Sequence, residues 1–457
     1  METFDKKKLS QMSPDTKRAL ARKLLQKHAA NTSVVPDNLN SSTGPAPEHT
    51  SFDLFPEYVA HKRRMEQSKK LTNLESTPFM KAHEDVSNNT VTIDGREYIN
   101  FSGYNYLGIS GDPKVNEAMH RAVEQFGSSP SASRLVGGEI TLHRELEKAL
   151  ARFTGAEDAI VYVSGWGTNV ACIGHLFRPG DLILHDELMH NSLMQGAKLS
   201  GARRMLFAHN DYKALDRILA KERNNYERVL VVIEGAYSMD GDFPDAPEFI
   251  KVKNRHKAFL MIDEAHSAGT MGATGRGIGE HFDIDPKDVD IWMGTLSKSF
   301  ASCGGYIAGS TALVEQLKYL SSGFVYSVGL SPALTAAAIA AVRIIQDEPQ
   351  RVRDLQARSQ QFLQTAKSCG LNTGSSDQTP VIPVIIGSSV DCLKISGALM
   401  QAGIDSKPIL YPAVAEDQTR LRFFISSTHT EEQIDYTVKT LARLLEEHGV
   451  TGIRDAV

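Results

Sequence analysis

Residues 288–310 read "DVDIWMGTLSKSFASCGGYIAGS". Two short apolar runs, "DIWMGT" (290–295) and "GYIAGS" (305–310), have the length and composition of buried strands. Between them stands one lysine, Lys298, among small residues, hydroxyls and glycines. Burying a lysine is costly unless it is paired or made neutral. One reading is a surface-loop lysine with serines around it. The other is an amine kept neutral so that it can condense with a carbonyl. The rest of the chain has to decide between them.

Working outward, the same alternation of strand and helix fills most of the sequence. "AIVYVS" (159–164), "DLILHD" (181–186), "RMLFAH" (204–209), "RVLVVIEG" (228–235) and "AFLMIDEA" (258–265) are further strands. Helices such as "DYKALDRILAKERNN" fit between them. Strands apolar on both faces, alternating with helices, predict an α/β fold: a mainly parallel sheet flanked by helices. "NTVTIDGREYINFS" (89–102) predicts a hairpin turning at Asp94-Gly95. "TPVIPVIIG" and "RLRFFISS" predict a smaller C-terminal α+β domain. The domain reading is an N-terminal helix and flexible linker over 1–50, a segment over 51–98, a large domain over 99–334 and a small one over 335–457. Within 1–50, residues 9–27 predict an amphipathic helix with Lys17, Arg18, Arg22, Lys23 and Lys27 on a basic face.

The bulk properties narrow the function classes. A net charge of −5 argues against nucleic acid or an anionic membrane as the main partner. The four cysteines, Cys172, Cys303, Cys369 and Cys392, are scattered without a CxxC pair, so neither a disulfide framework nor a zinc site is expected. The N-terminus lacks the apolar core of a secretory signal, and the longest apolar run, "ALTAAAIAAV" (333–342), is far short of a membrane span. A cytoplasmic protein without a membrane span is expected.

In such sheets ligands sit beyond the C-terminal ends of the strands. Asp263 ends "FLMID" and is either a turn aspartate or a buried carboxylate that needs a cation. An aspartate and a lysine on nearby strand ends match pyridoxal phosphate: the lysine holds the aldehyde as an imine, and the aspartate keeps the pyridine nitrogen protonated. "SGWGTN" (164–169) lies between a strand and a helix, where the Gly165 and Trp166 amides suit a phosphate; a plain tight turn is the alternative. His190, past the next strand, is either a cap or a residue that stacks on a ring. "GATGRGIGE" (272–280) lacks the dinucleotide spacing and is read as a flexible loop.

"TLSKSFASCG" (295–304) resembles the cofactor-attachment signature of class II pyridoxal-phosphate aminotransferases. "EGAYSMDGD", "DEAHSAGTMGATGRG", "FSGYNYLG" and "FAHND" are similar to the α-oxoamine synthases, and the likeness covers roughly residues 75 to 445. The resemblance implies a fold type I pyridoxal-phosphate enzyme, a homodimer. It would join an amino acid to an acyl thioester, from coenzyme A or an acyl-carrier protein, with loss of carbon dioxide. Rival readings are an aminotransferase of the same fold or a non-catalytic partner subunit.

By the same resemblance Lys298 forms the imine, Asp263 pairs with the ring nitrogen, His266 bonds the ring hydroxyl and His190 stacks. Ser238, Thr295 and the Gly165–Trp166 amides hold the ring-hydroxyl and phosphate regions. Arg422 binds the amino-acid carboxylate, with Arg420 as the second choice and Asn105 assisting. The family often has a second hydroxyl where this chain has Gly329, which leaves Ser327 to complete a neighbouring subunit's phosphate site. "GSSPSASR" (127–134) replaces a glycine-rich segment, and Ser133 there implies room for an amino acid larger than glycine. These variants resemble synthase modules that accompany polyketide and peptide assembly lines, where the basic N-terminal helix would dock an acidic carrier.

Overall fold

The computed structural model describes residues 45–72 and 77–450. The helix expected over 9–27, with its basic face, lies outside the described residues. The described residues form two compact units, divided between Lys70 and Leu71. In the first, short 3-10 turns at Pro47–His49 and Phe52–Leu54 precede a helix, Pro56–Thr72, that the sequence reading did not foresee. Its pattern carries no apolar stripe, because charged residues fall on every side.

The second unit opens with the expected hairpin, β1 (Thr90–Ile93) and β2 (Arg96–Asn100), paired antiparallel. Asp94 and Gly95 both take positive φ, +51° and +70°, as this two-residue turn requires. The large sheet follows with β3 (Asp158–Tyr162), β4 (Leu182–Asp186), β5 (Arg203–Phe207), β6 (Val229–Glu234), β7 (Phe259–Asp263), β8 (Ile291–Thr295) and β9 (Gly305–Gly309). Its order is β3-β9-β8-β7-β6-β4-β5. Only β9 runs against the others, antiparallel to both β3 and β8. The link from β8 to β9 is shorter than the dozen or so residues a parallel crossover needs, so the chain has to return antiparallel.

Alternate residues of each strand feed two cores. Leu184, Val231, Ile262 and Trp292 pack into one, and Ile183, Val232, Met261 and Met293 into the other. Each such side chain is worth roughly 1.5–3 kcal/mol when fully buried. Helices cover both faces, so the polar strand ends alone are left for chemistry.

The C-terminal part holds β10 (Val381–Ile385), β11 (Ile404–Asp405), β12 (Lys407–Ile409) and β13 (Arg420–Phe424). β10, β13 and β12 make a small antiparallel sheet, while β11 pairs parallel with β2. In β13, Leu421 and Phe423 enter the core fully buried, so Arg420, Arg422 and Phe424 share the opposite face. No described helix is long and apolar enough to cross a membrane.

Candidate active site

The site is built where the C-terminal ends of the parallel strands meet a helix start. Ser164 caps the helix Gly165–Leu176: its Oγ accepts from Gly167 N at 3.2 Å and its carbonyl accepts from Thr168 N at 2.8 Å. That leaves the Gly165 and Trp166 N–H groups as first-turn donors with no partner inside the helix. A Cβ on residue 165 would lie 2.5 Å from Thr295 Oγ1, so only glycine lets this turn press against the end of β8. Thr295 Oγ1 donates to the Gly304 carbonyl at 3.2 Å and accepts from Ser297 N at 3.3 Å. Amides at a helix N-terminus beside hydroxyls suit a phosphate group.

Asp263 is 4% exposed at the end of β7. It accepts from Asn169 Nδ2 and from Ala265 N, both at 2.9 Å, and forms no ion pair among the described residues. A buried carboxylate without a cation is expensive, so a positively charged ligand group is the natural complement. Next to it in register is Glu234, which burial and the neighbouring Asp263 hold well above the usual carboxylate range. Its Oε1 accepts from His190 N at 2.5 Å.

For His190 the structure shows the capping role. Its Nδ1 caps the helix Asn191–Leu199, accepting from Ser192 N at 3.3 Å, while the ring stays open to the cleft. Burial, helped by Lys298 and Arg422, lowers its pKa against the pull of Asp263. His266 is buried, with Nδ1 2.8 Å from Tyr106 Oη. Burial, Lys298 and Arg422 hold it well below the ordinary histidine value, so it is neutral at pH 7.

Lys298 lies at the floor of this cleft, partly reachable by solvent yet surrounded by protein. Burial, with Arg422 adding to it, lowers its pKa to about 8 against Asp263 and Glu234. Its Nζ stands 5.5 Å from the centre of the Tyr104 ring. The surface-loop reading of this lysine therefore gives way to that of a desolvated amine.

The two arginines separate cleanly. Arg420 is tied down by Asp240 at 2.6 Å and by the carbonyls of Met239 and Gln418. Arg422 has no carboxylate partner among the described residues. Its Nη1 donates to the Ser238 carbonyl at 2.8 Å, its guanidinium stacks 4.5 Å over Phe424, and its buried Nε is unpartnered. Burial lowers its pKa, as expected of a guanidinium lacking its anion.

Two expectations, for Asn105 and for the loop over 272–280, need correction, and the serines fall as follows. Asn105 is engaged by backbone on both sides: Oδ1 accepts from Ser110 N at 3.1 Å in its own loop, and Nδ2 donates to Ser87 O, ahead of the hairpin, at 3.2 Å. Tyr104, its neighbour, is the residue under Lys298. The Ser238 carbonyl accepts from Arg422 Nη1, which places Ser238 beside that arginine. "GATGRGIGE" is a bonded turn rather than an open loop: Glu280 accepts from Thr274 N and Arg276 N, and Gly277 N donates to Met271 O. Ser133 pairs with Val328 in an isolated bridge and Ser327 Oγ bonds only Val328 O, so no described hydrogen bond joins either to the Lys298 cleft. Sequence reasoning missed Asn169, Ser192, Glu234, Tyr104 and Tyr106. Glu234 could have been found, because it ends its strand as Asp263 does.

A family model of aminotransferase class I and II matches residues 96–441. The chain is 36% identical over 367 residues to 8-amino-7-oxononanoate synthase of Treponema denticola, covering 80% of this chain and 92% of the relative. It is 37% identical over 372 residues to the synthase of that name from Thermosipho melanesiensis, covering 81% and 94%. Among solved structures it is similar to Sphingomonas wittichii serine palmitoyltransferase, with a TM-score of 0.82 and 29% identity over 87% of this chain and 99% of that one. It is also similar to serine palmitoyltransferase from S. paucimobilis with bound PLP and myriocin, with a TM-score of 0.81 and 27% identity over 87% and 98%.

Proposed function

The chain belongs to the class I and II aminotransferase family, in its α-oxoamine synthase branch, and from that premise we propose that it joins an amino acid to an acyl thioester with loss of carbon dioxide. Pyridoxal 5'-phosphate is the cofactor, and the residues fit it. The Gly165 and Trp166 amides with Thr295 would hold its phosphate, Asp263 its ring nitrogen, the open face of His190 its ring and Lys298 its aldehyde. When bound, it supplies an electron sink for the bonding electrons of the amino acid's α-carbon.

The chain's own groups do the rest. With a pKa of about 8, Lys298 is neutral in roughly one molecule in ten at pH 7, enough for Nζ to condense with a carbonyl and to take the α-proton. Arg422, which has no carboxylate partner among the described residues, would bind the amino-acid carboxylate. Net bond changes balance: the α-carbon bonds the thioester carbonyl, the thiol leaves, the carboxylate departs as carbon dioxide, and a proton returns to carbon. The observation that carries the reading is the convergence of a desolvated lysine, an unpaired buried aspartate and an unpaired arginine in one cleft.

Ser327 and Ser133 act, on this reading, in a cytoplasmic homodimer, where each would complete the partner copy's site. The exposure of neighbouring Tyr326 (86%) and Val136 (85%) supports it. Reduction of the yellow protein with borohydride, followed by peptide mapping, tests the reading. The cofactor mass is expected on the peptide carrying Lys298, and its appearance on another lysine would overturn it.

A further inference from the structure

Four side chains form one unbroken hydrogen-bonded line from Asp263 to His190. Asn169, fully buried in the helix Gly165–Leu176, sends Nδ2 both to Asp263 Oδ2 and to Ser192 Oγ, each at 2.9 Å. Ser192 Oγ lies 2.7 Å from His190 Nδ1. The directions follow from the donors. An amide nitrogen only donates, so Ser192 Oγ accepts from Asn169 and its own proton is free for His190 Nδ1. The Ser192 backbone N–H also points at that atom. Nδ1 therefore accepts twice and carries no proton.

We propose that Asn169 and Ser192 are positioning residues that fix Asp263 as an acceptor and His190 as the neutral Nε2–H tautomer, so that the groups meeting the cofactor's edge and face are set by one relay. This rests on the cofactor assignment above for its purpose, but its geometry does not. Protonating Nδ1 would set it against the Ser192 backbone N–H, a donor facing a donor, and would force the Ser192 hydroxyl to turn from donor to acceptor. The charged groups acting on His190 are Asp263, Lys298 and Arg422, and Glu234 accepts its backbone N–H. Asn169 Oδ1 is buried without a partner, which fits an amide oriented by the needs of its nitrogen. Turning the amide over would set its oxygen against the Asp263 carboxylate.

The test is nitrogen-15 NMR of histidine-labelled, full-length protein, with the His190 signals assigned by loss in a His190→Gln variant. In the unsubstituted chain His190 should show the Nε2–H pattern across neutral pH. Ser192→Ala should give a mixture of tautomers and a raised His190 pKa, and Ser192→Thr, which keeps the hydroxyl, should restore the single form. Asn169→Ala should weaken cofactor binding about tenfold, measured by visible titration. An Nδ1–H pattern in the unsubstituted chain, or an unchanged tautomer in folded Ser192→Ala, would overturn the relay. Because the unsubstituted chain is itself decisive, misfolding of a variant leaves the answer intact. Absence of thioester turnover with the tautomer as expected would instead count against the proposed function.

Discussion

Replacing Asp263 by asparagine tests the electrostatics of the site at its tightest point. Both carboxylate oxygens accept, one from Asn169 Nδ2 and one from Ala265 N, each at 2.9 Å. An asparagine offers one acceptor and one NH2, so whichever way it turns, a donor meets a donor. The fold then loses about 1–3 kcal/mol, the cost of a buried polar group left unpaired. Catalysis loses more, because the charge opposite the ring nitrogen is gone: about 3 kcal/mol, or roughly a hundredfold in turnover. Lys298 should keep its function, since the Asp263 charge raises its pKa and removing it leaves the amine more neutral. The expected Asp263→Asn protein is folded, still yellow and about a hundredfold slower in thiol release. Circular dichroism, visible absorbance and a colorimetric thiol assay read the three properties. A folded variant within about threefold of the unsubstituted rate would refute the assignment.

Other perturbations separate the remaining roles. Gly165→Ala should weaken cofactor binding about tenfold or more, because its Cβ would stand 2.5 Å from Thr295 Oγ1; visible titration measures this. Arg422→Lys should raise the KM for the amino acid by about tenfold, since one point donor replaces a fork, while Arg420→Lys should lower the melting temperature with little change in KM. Cofactor capture by cofactor-free protein should accelerate as pH rises through about 8 and then level off, following the neutral form of Lys298. A capture rate flat from pH 6 to about 9, watched as growth of visible absorbance, would show that the amine is not the titrating group.

The α/β pattern was legible because strands buried on both faces must be apolar throughout, and helices between them leave a 3.6-residue period. Asp263 and Lys298 were legible as polar residues ending apolar strands. The antiparallel course of β9 could also have been foreseen, since the connection is too short for a crossover. Other features depend on tertiary placement. Asn105 and Tyr104 are neighbours in sequence, and only packing decides that the asparagine closes its loop while the tyrosine faces the lysine. Arg420 and Arg422 share one strand face, and only the approach of Asp240 marks which is already paired. Asn169 carries no motif of its own, because its meaning comes from the two chain-distant acceptors it joins.

On the proposed function, one amino acid and one acyl thioester are consumed together with loss of the carboxylate. The direct measurement uses carboxyl-labelled amino acids and a panel of thioesters, following labelled carbon dioxide and free thiol in the same reaction. One carbon dioxide per thiol is expected with the productive pair. Amino exchange with a keto acid, with neither thiol nor carbon dioxide released, would contradict it.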